Sequence, residues 1–125
     1  YSFAVRRERL QAANITFSLL FGGGTKYSNG EDSLFLKDCL SYGFKVYATP
    51  VELGAETERE STWFHGYHEK FFTDRGVLYH FLYGKLALPM SVRFLMAHGK
   101  VMCQEIPRNR ALQLMKAGIR SVRGL

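Results

Sequence analysis

A chain of 125 residues with 46% hydrophobic content, 10 Phe and 7 Tyr is too apolar for a disordered segment and long enough for one domain with a single modest core. The net charge of +6 is uneven: residues 106–125 hold Arg108, Arg110, Lys116, Arg120 and Arg123 with no acid, so the basicity belongs to the C-terminal tail. Arg6, Arg7 and Arg9 interrupt any secretory leader at the start, and Cys39 and Cys103, which lack metal or redox spacing, read as reduced, buried thiols.

In chain order, residues 1–5 read as a buried strand and residues 6–13 as a short helix ended by Asn14. Residues 15–21 are apolar and extended. Gly22, Gly23 and Gly24 form a flexible loop, which lacks both the Lys-Ser/Thr of a phosphate-binding loop and the spaced glycines of a dinucleotide fingerprint. Asn29-Gly30-Glu31-Asp32 then places two adjacent carboxylates where a glycine turn becomes a helix. Gly30 permits the turn, Asn29 is placed to cap the first free amides, and the positive end of the helix favours carboxylates there. Leu36, Leu40 and Gly43 recur at helical spacing and predict the buried face.

Residues 44–49 alternate as a strand stopped by Pro50, and residues 52–60 form an acidic exposed loop. Trp63 follows, with Phe64, Tyr67, Phe71 and Phe72; such rings stack on sugar faces or fill cores. Residues 67–97 read as two helices broken near Leu88 and Pro89, and Lys85 and Pro89 keep this apolar run from being a membrane span. Its stripes, Leu78, Phe81, Leu82 and Leu86 and then Phe94 and Leu95, serve helix packing or a membrane-surface contact.

Gly30-Glu31-Asp32, two variable residues and an apolar pair, followed by Gly43-Phe44-Lys45-Val46-Tyr47 and Pro50, resemble the second half of family 2 glycosyltransferases. Ser2 to Arg7 resembles the strand before their acceptor region, and Arg59 to Phe64 the loop that closes over it, so the likeness runs from residue 1 to about 98. It implies an α/β fold: a partial GT-A-type mixed sheet with helices, followed by a helical C-terminal region. Residues 1–66 would be the acceptor-side half of the transferase domain and residues 67–125 a helical extension packed on it. The Asp-x-Asp metal motif of the donor half occurs nowhere in the chain, which is therefore expected to be the C-terminal portion of a transferase, inactive by itself.

The same resemblance makes Asp32 the catalytic base of an inverting sugar transfer. Glu31, Arg59, Trp63 and His65 are substrate-binding candidates, and a magnesium or manganese ion is expected only in the full-length parent. A nucleotide-sugar donor and a glycan or lipid-linked acceptor are the implied partners. His65 and His68 stand three apart beside Glu69, yet they match neither metalloprotease order and cannot complete a metal site. Ser61 and Thr62 have no nucleophile elbow around them, and no zinc-finger, RNP-type or helix-turn-helix signature supports nucleic-acid binding. A cytoplasmic protein is expected, peripheral at the inner membrane face if the basic tail meets lipid. The rival reading is a non-catalytic interaction module that associates as a homo-oligomer through uncovered apolar surface.

Overall fold

The computed structural model describes residues 3–55 and 66–124. Those residues form five α-helices, α1 (Arg7–Ala13), α2 (Glu31–Ser41), α3 (Glu69–Tyr83), α4 (Ala87–Met102) and α5 (Arg108–Ser121), with a 3-10 turn at Gly84–Leu86. No strand is present among them, so the expected mixed sheet is overturned. The physical reason lies in the two segments proposed as strands. Residues 3–5 and 44–49 are irregular, and Val46 and Tyr47 are both exposed although they point to opposite sides of an extended chain. Alternation can suggest a strand, but a ladder needs a neighbour for its amides and carbonyls, and none of the described residues supplies one.

α3 is the centre of the molecule. Phe71, Phe72, Asp74, Gly76, Val77, Leu78 and Tyr79 are all buried, so the helix is covered on nearly every side. α5 and α4 both pack against it and against each other; α5 buries Ala111, Leu114, Met115, Gly118 and Ile119, and α4 buries Ala87, Ser91, Leu95 and Gly99. The contact of α3 with α5 is close because glycine stands on both sides. A Cβ on Gly76 would lie 2.1 Å from the Met115 carbonyl oxygen, and one on Gly118 would lie 2.1 Å from that of Thr73. Backbone therefore meets backbone at both places, and dispersion contacts are made where side chains would hold the helices apart.

The break between α3 and α4 falls at Gly84–Leu86, ahead of the Leu88-Pro89 position expected from sequence. Pro89 is the third residue of α4, where the amide has no intrahelical acceptor and its loss costs nothing. Gly84, at φ +55°, makes the turn instead.

The N-terminal part carries a second, smaller cluster: Ile15, Phe35 and Cys39, with Phe3, Leu10, Ala13 and Phe44 packed around them. Phe35 is stacked between Phe17 and Phe3, with ring centroids at 4.2 and 5.7 Å. The short helix ended by Asn14 is found as expected, with Asn14 left-handed at φ +53°. The buried face of α2 is Phe35 and Cys39, whereas Leu36 is half-buried and Leu40 exposed, so the face predicted from Leu36 and Leu40 is rotated.

Candidate functional site

The acidic pair sits in the first turn of α2, as the sequence implies. Gly30 rather than Asn29 is the N-cap. Its φ of +115° is a conformation that side chains resist, and it leaves no side-chain cap hydrogen bond. A Cβ there would also lie 2.6 Å from both methyls of Leu78, so the start of α2 rests directly on α3.

The loop leading into the pair is held rather than hinged. Asp74, buried on α3, accepts hydrogen bonds from the Ser28 amide at 3.0 Å and the Ser28 hydroxyl at 2.8 Å, and it pairs with Lys70. Lys70 also donates to the Lys26 carbonyl at 3.0 Å. Further back, the Thr25 hydroxyl lies within hydrogen-bond distance of the carbonyls of Leu20, Gly22 and Tyr27, and Phe21 is buried against Tyr27 and Phe81. The glycine run is thus fixed at both ends. Sequence reasoning missed Asp74 and Ser28, which stand 46 residues apart with no local pattern to link them.

The structure brings Glu31 and the glycine run together. The Glu31 carboxylate carbon would be 3.3 Å from a Cβ on Gly22, so the absent side chain leaves the room that the carboxylate occupies. Asp32, next to it and half-buried, forms no hydrogen bond or ion pair among the described residues. The two acids differ in surroundings: the Glu31 carboxylate lies against the Gly22 backbone, and the Asp32 side chain is half-buried beside it. Arg59, Trp63 and His65, along with Ser61 and Thr62, lie outside the described residues. His68 and Glu69 do not converge; His68 pairs with Glu105 at 3.1 Å and Glu69 with Arg110 at 2.9 Å. No group of three or more His, Cys, Asp or Glu placed to hold a metal occurs among the described residues.

Both thiols are free. Burial raises Cys39 above its ordinary range, with Asp38 adding to the shift, and burial raises Cys103 while Arg108 opposes it. Cys39 is buried as expected; Cys103 is only half-buried.

Two surfaces stand out beside the acidic pair. One is a groove of about 660 Å3 over α2, walled by Phe3, Val5, Leu36, Phe44, Val46 and Val51. The other spans α4 and α5. Residues 84–125 contain eight lysines and arginines against one acid, Glu105, while residues 1–83 contain nine against ten, so the whole excess charge belongs to these two helices and their connections. Among the described residues, no helix is long and apolar enough to cross a membrane.

Compared with protein-family models, with curated proteins and with solved structures, the chain matches none.

Proposed function

We propose that the chain is the acceptor side of an inverting sugar transferase in which Asp32 is the general base. One observation carries the reading: Asp32 is an unpaired, half-buried carboxylate in the first turn of a helix whose start is pinned to the core by Gly30, Ser28 and Asp74. Function is a property of a site rather than of a fold, so the reading stands on that carboxylate and not on a sheet, which is absent among the described residues. In the reaction the acceptor oxygen attacks the anomeric carbon of the nucleotide sugar and the bond to the diphosphate breaks. The hydroxyl proton passes to the Asp32 carboxylate as the oxygen acidifies in the transition state. Glu31, held against Gly22, would orient the acceptor beside it.

Arg59, Trp63 and His65 stay in the proposal as substrate contacts on the sequence resemblance alone. The described residues offer no donor set for the magnesium or manganese ion that the resemblance implies, so no step is routed through one. A nucleotide-sugar donor would reach the site from residues beyond this chain, on the cytoplasmic side of a membrane.

The test is Asp32→Asn in a protein that joins this chain to a donor half. Turnover should fall by about a hundredfold to ten-thousandfold, with melting unchanged, since Asn keeps the size but takes no proton. Full turnover in that variant would remove Asp32 from the reaction. A second reading, a self-associating interaction module, is favoured by the apolar groove over α2 and is tested at the level of the whole molecule below.

A further inference from the structure

One face of α4 carries Leu88, Val92 and Met96 at successive one-turn spacings, and all three are exposed, Met96 to 73%. Pro89, Arg93 and Lys100 are exposed on the same side at helical spacing. Leu88 also reaches α5, where it and Ile119 line a shallow depression of about 180 Å3 bordered by Lys116, Arg120 and Arg123. The apolar stripe and the cations therefore form one continuous surface.

None of Arg93, Lys100, Lys116, Arg120 and Arg123 forms an ion pair among the described residues. Lys116, Arg120 and Arg123 follow one another at four- and three-residue intervals, where like charges repel. A place near the helix C-terminus offsets the cost for Arg120 and Arg123. It does not account for Lys116, nor for large apolar side chains set among the cations.

We propose that α4 and the C-terminal half of α5 form a docking surface for an anionic lipid bilayer. Leu88, Val92 and Met96 enter the headgroup boundary while the five cations lie over the lipid phosphates. Charge complementarity commits the surface to an anionic partner, and the apolar stripe chooses the lipid. A nucleic-acid backbone would satisfy the cations and leave Met96 and Val92 in water, whereas an interfacial helix gains from both terms. The site is separate from the acidic pair and does not depend on the sugar-transfer reading.

Sedimentation with phosphatidylcholine vesicles, with and without phosphatidylserine, tests it. The chain should bind the phosphatidylserine vesicles, less tightly as salt rises, and leave pure phosphatidylcholine alone. Arg93→Gln and Arg120→Gln should each weaken binding roughly fivefold. Met96→Ser should weaken it by roughly threefold to tenfold at an unchanged melting temperature, which is measured for every variant because the side chain is exposed. No binding to phosphatidylserine vesicles overturns the proposal. So does binding that Met96→Ser leaves intact, or equally tight binding to duplex DNA that Met96→Ser does not alter, since either would make the surface a general polyanion patch.

Discussion

Two carboxylates show how similar residues come to differ in role. Asp74 is buried on the central helix, and its Oδ2 accepts from both Ser28 and Lys70, so it is a tie between segments far apart in sequence. Asp32 is half-buried and forms no hydrogen bond or ion pair among the described residues, and the proposed proton transfer rests on that. Tyr79 supplies a pH-dependent prediction at this scale. Burial raises its hydroxyl above the ordinary value near 10, Arg75 opposes the shift and Tyr83 adds to it. The folded state thus favours neutral Tyr79, a contribution fully present below the ordinary tyrosine pKa and lost as pH rises through the folded one. Melting temperature should therefore fall more steeply above about pH 10 in the wild type than in Tyr79→Phe, and parallel curves would count against burial of that hydroxyl.

Among the elements, the contact of α3 with α5 decides whether the core forms. A methyl added at Gly76 or Gly118 meets a carbonyl oxygen at 2.1 Å, and backbone atoms of a packed helix cannot turn aside as a side-chain end can. Gly76→Ala should cost about 3 kcal/mol or more and lower the melting temperature by about 10 °C. Gly54→Ala is the control: among the described residues nothing lies within 4 Å of its added methyl, and it should stay within about 0.5 kcal/mol of wild type. Equal melting of the two variants would show that the helices do not approach as described. The helices themselves were legible. Asn14 ends α1, the acidic pair opens α2, and the apolar run after Tyr67 does divide into two helices. The point of division was not, because Pro89 looks like a breaker until its place in the first turn of α4 is known.

Over the whole molecule, the two clusters differ in how well they are closed. The core around α3 is sealed by α4, α5 and the Phe21 loop, whereas Val46, Tyr47, Val51 and Leu53 stand exposed along the groove over α2. Contiguous apolar surface on irregular backbone is costly to leave in water, and a second copy of this chain presents the same surface to cover it. Light scattering over a dilution series should give a dimer or larger at the concentrated end, and Tyr47→Ser with Val51→Ser should shift it towards monomer. A monomer at every concentration would remove the association reading and leave the sugar-transfer proposal untouched, since the two rest on different residues.

By itself the sequence determined the helical periods, the turn at Gly30, the place of the acidic pair and the basic character of the C-terminal region, because each is written in residues within a few positions of one another. Only the tertiary structure decided which face of α2 is buried, that Asp74 holds Ser28, that Gly76 and Gly118 are points of backbone contact, and that Lys116, Arg120 and Arg123 lie beside Leu88 of α4. The absence of a sheet among the described residues belongs with these. Whether an alternating segment becomes a strand depends on a partner for its backbone, which no local pattern can specify.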